Sequence, residues 1–111
     1  MWEVILLDNV DNWVCELEDA DYESVAAAID MLSECGPALG RPFTDLVKGG
    51  KYKNMKELRP LGTSIRILFA FDPNQIAVLL VAGDKSGQWK SWYKGALKEA
   101  EARYAAWLDN C

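Results

Sequence analysis

Apolar residues along this chain switch between strand-like and helix-like spacing, and each switch predicts an element. Trp2 to Leu7 is a short run rich in β-branched and aromatic residues that ends at the turn-prone Asp8-Asn9 pair, which predicts a short buried strand. Val10, Trp13, Val14 and Leu17 then recur at i, i+3, i+4 and i+7, a helical stripe with Asp8 or Asn9 placed to cap its first turn. The stripe restarts with Tyr22, Val25, Ala26, Ile29 and Leu32 behind Asp19 or Asp21, and Gly36-Pro37 supplies its stop. Two antiparallel helices are expected. From Gly36 to Asn54 the Gly-Pro, Gly-Arg-Pro and Gly-Gly steps read as a long surface connection.

Strand-like spacing returns in segments near 54–60, 64–71 and 75–82, joined at Pro60-Leu61-Gly62-Thr63 and Asp72-Pro73-Asn74, both suited to antiparallel hairpins. In the middle segment Ile65, Ile67, Phe69 and Phe71 alternate to one face, so Arg66 is expected opposite the main core. The third segment is apolar on both faces, as a central strand would be. From about Trp89 to Leu108 the stripe Tyr93, Leu97, Ala100, Tyr104, Trp107 and Leu108 predicts a last helix packed on the sheet. The order β-α-α-β-β-β-α implies an α+β fold, a small antiparallel sheet packed against helices, with Phe69, Leu80, Ile29 and Trp107 in its core.

A length of 111 residues, half of them apolar, is expected to make one domain over 1–111. The longest apolar run, Ile76 to Ala82, is far short of the roughly 18 to 20 residues that span a bilayer, and the N-terminus lacks the pattern of a secretory signal, so a cytoplasmic protein without a membrane partner is expected. Cys15, Cys35 and Cys111 are widely spaced and histidine is absent, so free thiols are expected and no metal site is implied. Charge is divided along the chain. The first 40 residues hold ten carboxylates and no Lys or Arg, whereas residues 41–94 hold ten cations against Asp45, Glu57, Asp72 and Asp84. Such asymmetry fits an anionic ligand on one face, or ordinary solvated faces.

Five fragments stand in register: Gly36-Pro37-x-Leu39-Gly40-Arg41-Pro42, Asn54-Met55-Lys56-Glu57-Leu58-Arg59, Arg66-Ile67-Leu68 with Phe71-Asp72, Gly83-Asp84-Lys85, and Trp92-Tyr93. In order and spacing they resemble the RelE superfamily of toxins, in its phage-derived HigB-like branch, over nearly the whole chain. The resemblance implies the RelE-like fold and a ribosome-associated endoribonuclease that cleaves mRNA without a metal or other cofactor. It also implies a cognate antitoxin, often with a helix-turn-helix domain. By position it implies catalytic roles for Arg59, Arg66, Lys85 and Tyr93. Two positions depart from the better-known RelE pattern, which has lysines where this chain has Glu57 and Met55, and the net charge of −5 contrasts with the usual basic balance. A ParE-like inhibitor of DNA gyrase and an inactive phage-derived remnant are the competing readings.

Internal cleavage of RNA requires a deprotonated 2′-hydroxyl, stabilisation of a negative pentacovalent phosphate, and a proton for the leaving oxygen. Without histidine these tasks fall to Lys, Arg, Tyr and carboxylates. The planar forks of Arg59 and Arg66 suit phosphate oxygens, unless salt bridges to Glu57, Asp72 or Asp84 occupy them. Lys85 is a candidate base and Glu57 an alternative. Tyr93 with Trp92 or Trp89 can stack on a base or pack in the core, and Lys51, Lys53 and Lys56 around Tyr52 suit RNA or simply a solvated loop.

Overall fold

In the computed structural model, which describes residues 1–86 and 89–110 and only the backbone of 89 and 90, the chain runs β1 (Val4–Leu6), α1 (Asp8–Cys15), α2 (Asp19–Cys35), a 3-10 turn (Gly36–Ala38), β2 (Thr44–Leu46), β3 (Met55–Leu58), β4 (Ile65–Phe71), β5 (Ala77–Asp84) and α3 (Trp89–Asp109). The α+β architecture is the expected one, with two corrections. The sheet order is β1-β5-β4-β3-β2, and β1 lies parallel to β5, from Val4 opposite Ala77 to Leu6 opposite Leu79. The sheet is therefore mixed. No hairpin joins β1 to β5, so no tight turn forces them to run in opposite directions. The second correction is β2, which pairs antiparallel with β3 inside the stretch expected to be a surface connection. Three residues centred on Asp45 carry too little alternation to be read as a strand, and it is the edge of β3 that orders them.

Both faces of β4 are buried, and each has its own cover. Ile65, Ile67 and Phe69 pack with Val10 and Val14 of α1 and Val25, Ala28 and Leu32 of α2. Leu68 and Ala70 join Met55, Val78, Leu80 and Val81 beneath Ala96, Ala100 and Tyr104 of α3. Of the four residues expected in the core, Phe69 and Leu80 are fully buried, while Ile29 and Trp107 are partly buried against the two clusters. The pairing of β4 with β5 slips between Leu68 and Phe69, so Leu80 has no partner across the ladder and shares the α3 face with Val81. A turn at 72–76 ties the sheet to α3. The buried Asp72 carboxylate accepts from the backbone N–H groups of Asn74 and Ile76 and from Trp107 Nε1 at 2.8 Å.

Helix starts also differ in detail from the expectation. The capping positions are Leu7 and Glu18, neither with a side-chain cap bond, so Asp8, Asp11, Asp19 and Asp21 stand inside the first turns, where negative charge complements the helix dipole. Asn9 instead sends Nδ2 to the Leu80 carbonyl at 2.9 Å. The stop at Gly36 is as expected. Its φ of 58° closes α2, and the Trp2 indole lies where a Cβ would stand. Cys15 is an exposed free thiol and Cys35 a half-buried one, and Cys111 lies outside the described residues. No helix among the described residues is long and apolar enough to cross a membrane.

Candidate functional site

Beneath α3 the apolar rows of the sheet give way to charge at one end. Along β3 the inward positions run Met55 then Glu57, and along β4 Leu68 is preceded by Arg66. The register sets Asp45 opposite Glu57, Glu57 opposite Leu68, and Arg66 opposite Gly83. Four consecutive strands thus bring polar groups to one corner. Residues from these strands, the following loops and the first turns of α3 line an open pocket of about 330 Å³: Asp45, Leu46, Lys48, Glu57, Arg59, Arg66, Lys85 and Tyr93.

Glu57 organises the pocket. Its side chain is only 6% exposed, and Oε1 accepts from Arg59 Nε at 2.9 Å and pairs with Arg66 Nε at 3.3 Å. Arg59 also reaches Asp45 Oδ2 at 3.1 Å, where Arg41 meets it at 3.0 Å. Arg66 Nη1 donates to the Ile65 carbonyl at 2.7 Å. A guanidinium held at several nitrogens is fixed in direction, which suits recognition of an oxyanion. Burial lowers the pKa of Arg66, and Arg59 adds to this by repulsion while Glu57 and Asp84 oppose it. Burial raises the pKa of the Tyr93 phenol, Glu57 acts in the same direction, and Arg59 opposes it. Tyr93 is therefore a neutral O–H donor throughout the physiological range. Four cations face two carboxylates in this pocket, so the local balance is positive although the chain is net negative.

All four residues expected to be catalytic, Arg59, Arg66, Lys85 and Tyr93, line this one pocket. The residues expected to bind RNA do not join them. Lys56 stands on the opposite face of β3, where its ammonium donates to the Pro37 carbonyl at 3.3 Å beside Arg41 and Thr44. Alternation along a strand separates it from Glu57. Lys51 donates its backbone N–H to the Glu101 carboxylate and holds its ammonium 5.6 Å from the Tyr52 ring centre, and Lys53 is exposed on the same loop. Trp92 packs over Gly83 and lines a different groove, and the side chain of Trp89 lies outside the described residues. Lys48 and Asp45 were missed. Only the β2 pairing brings them to the pocket, and β2 leaves no periodic trace in the sequence.

The two departures from the RelE pattern have a structural account. Met55 is fully buried in the α3 core, and Glu57 is the carboxylate that holds both arginines.

Comparison with known proteins agrees with this picture. A family model described as phage-derived protein Gp49-like matches residues 12–105. HigB3 of Mycobacterium tuberculosis, named as a candidate toxin, is 52% identical over 105 residues, which are 95% of this chain and 92% of that protein. HigB2 of the same organism, also named as a candidate toxin, is 46% identical over 92% of this chain, and the match spans 52% of its length. Among solved structures, a free Escherichia coli RelE carrying two arginine-to-alanine substitutions superposes with a TM-score of 0.64 at 10% identity, covering 87% of this chain and 95% of that one. RelE in an archaeal RelE–RelB complex from Pyrococcus horikoshii superposes with a TM-score of 0.62 at 16% identity, covering 77% and 96%. At such identities these two structures speak for the fold alone.

Proposed function

This chain belongs to the phage-derived Gp49-like family, among the HigB- and RelE-type toxins of toxin–antitoxin systems, and on that premise we propose that it cleaves mRNA on the ribosome using its own side chains. The observation that carries the reading is the single pocket in which Arg59, Arg66, Lys48 and Lys85 converge with Tyr93. In the reaction the 2′-oxygen bonds to the adjacent phosphorus, the bond from phosphorus to the 5′-oxygen breaks, and that oxygen takes up a proton. Negative charge grows on the phosphoryl oxygens as this happens. Arg66 and Arg59 are the groups held in place to receive it. Tyr93, kept neutral by burial, supplies an O–H to the leaving oxygen or orients the attacking sugar. Glu57 and Lys85 are the two pocket residues able to accept the 2′-hydroxyl proton. A cognate antitoxin, with a helix-turn-helix domain for its own DNA, holds the activity in check, by analogy with the RelE–RelB pair that the archaeal complex contains.

Arg66→Ala tests the reading. It removes a buried cation from the phosphate site, and the expected loss is roughly 10² to 10³ in rate, about 2.7–4 kcal/mol of barrier, as for one lost oxyanion donor. The measurement is mRNA cleavage in a translation extract, because the net charge of −5 disfavours free RNA and the ribosome must supply the template. Equal cleavage by both proteins would remove Arg66 from the mechanism. Growth arrest accompanied by DNA damage and intact mRNA would move the chain to gyrase inhibition.

A further inference from the structure

On the far side of α3 from the catalytic pocket, a groove of about 420 Å³ runs between α1, β5 and α3 and is lined by Asn9, Trp13, Val81, Ala82, Ser91, Trp92, Gly95, Ala96 and Glu99. Four features of this groove are unexplained by catalysis. First, β1 pairs with β5 only as far as Leu79, so β5 from Leu80 to Asp84 has no strand beside it on that edge among the described residues. Second, the Asn9 carboxamide stands in for the missing strand. Its Nδ2 donates to the Leu80 carbonyl as a neighbouring peptide N–H would, but its Oδ1 is buried and has no hydrogen-bond partner. A buried acceptor left unmet is costly and rare in folded proteins. Third, indoles from two helices, Trp13 and Trp92, border the groove, and such rings are enriched where proteins dock. Fourth, its surroundings are acidic. Asp8 and Asp11 lie exposed on α1, Glu99 is exposed on α3, and the first 40 residues contain no cation.

We propose that this groove receives a basic, extended segment of the cognate antitoxin, which continues the sheet edge where β1 stops, donates a backbone N–H to Asn9 Oδ1, and lies between the two indoles. The occupant's chemistry follows from the wall. A strand edge recognises extended backbone, an unmet carbonyl requires a donor, and an acidic rim favours Lys and Arg. The inference rests on the toxin reading, since it takes the antitoxin as the partner. It also separates docking from inhibition, because Trp92 lines the groove while its neighbour Tyr93 lines the catalytic pocket. A segment seated here anchors the antitoxin without filling the site that cuts RNA.

Gly95 offers the test. A Cβ built on it meets nothing within 4 Å, so a side chain there enters the groove without disturbing the helix or the sheet. The toxin is co-expressed with the protein encoded in the adjoining reading frame, as wild type, Gly95→Leu and Glu99→Lys. Complex formation is read by co-purification and by titration, and mRNA cleavage by the toxin alone serves as the folding control. Gly95→Leu is expected to weaken the complex at least tenfold with cleavage unchanged, and Glu99→Lys to weaken it less and in a salt-dependent way. A wild-type complex that Gly95→Leu leaves intact overturns the groove and spares the toxin reading. Failure of the wild type to form any complex overturns the toxin–antitoxin reading and the groove with it. A wild-type homodimer that Gly95→Leu dissolves assigns the groove to a second copy of this chain and overturns the antitoxin as occupant.

Discussion

The two faces of the sheet are built from the same strands and end differently. Under α1 and α2, every inward residue of β4 is apolar, and two helices cover the face. Under α3, a single helix covers the opposite face, and the inward rows change from Met55, Leu68 and Ala70 to Glu57 and Arg66 where the helix begins. The site is thus the uncovered end of a core. It inherits the rigidity of β3, β4 and β5, and the helix that bounds it also contributes Tyr93. One lesson follows for reading such chains. A charged residue that interrupts a buried alternation is informative because a strand otherwise has no reason to carry it inward.

The sharpest test of this contrast sets one residue from each face side by side. Phe69→Ala empties a fully buried position on the α1–α2 face and is expected to cost about 3–5 kcal/mol of stability. Arg66→Ala, its neighbour three residues earlier on the other face, should affect cleavage far more than the unfolding midpoint. Urea denaturation of both variants decides the matter. A loss of stability in Arg66→Ala as large as that in Phe69→Ala would show that the charged corner is part of the fold's support rather than a site resting on it.

A smaller effect is expected at the seam between α3 and β5. Gly83 has no side chain because the Trp92 ring occupies the place, and a Cβ there would lie 2.3 Å from three of its atoms. Gly83→Ala must push the indole away, an overpacking cost of about 1–3 kcal/mol. The displaced Trp92 adjoins Tyr93 in α3, so cleavage should fall together with stability. Unchanged unfolding in Gly83→Ala would mean that Trp92 is not held on the strand and that the start of α3 is loosely placed.

The central strands were legible in the sequence because burial imposes period two on β4 and continuous apolarity on β5. The same periodicity put Arg66 on the face away from Phe69. The helical stripes were legible for a similar reason, and Gly36 marked the end of α2. What escaped was whatever depends on partners distant in sequence. β2 exists because β3 offers it an edge, β1 runs parallel because no turn constrains it, and Asn9 spends its amide on Leu80 rather than on a cap. Within the site, Arg59, Arg66, Lys85 and Tyr93 came from the family resemblance, and the pocket brings them together. Lys56 was misplaced because a count of nearby lysines ignores which side of the strand each one takes, and Lys48 was missed because its loop comes into the pocket through β2.

The mildest of the expected effects tests the charged corner by acid. The Leu46 backbone N–H holds the Asp45 carboxyl below its ordinary pKa, with Arg41 and Arg59 adding to this against partial burial. The hydroxyl and backbone N–H of Ser86 do the same for Asp84, helped by Arg66. A carboxyl whose pKa is lower in the folded chain binds fewer protons there than in the unfolded chain. Its contribution to stability is therefore fully present above the unfolded value of about 3.9 and is lost as pH falls through the folded value. Both groups stand at the polar end of the α3 face. Asp45→Asn removes one of them without changing its size, so its unfolding midpoint in urea should fall less than that of the wild type between about pH 6 and about pH 3. Because Asp45 is open to solvent, the difference should be small and should shrink further in salt, which screens Arg41 and Arg59. An identical acid response in wild type and Asp45→Asn would mean that the ion pairs at this corner persist by geometry alone and contribute nothing to the balance between the two faces.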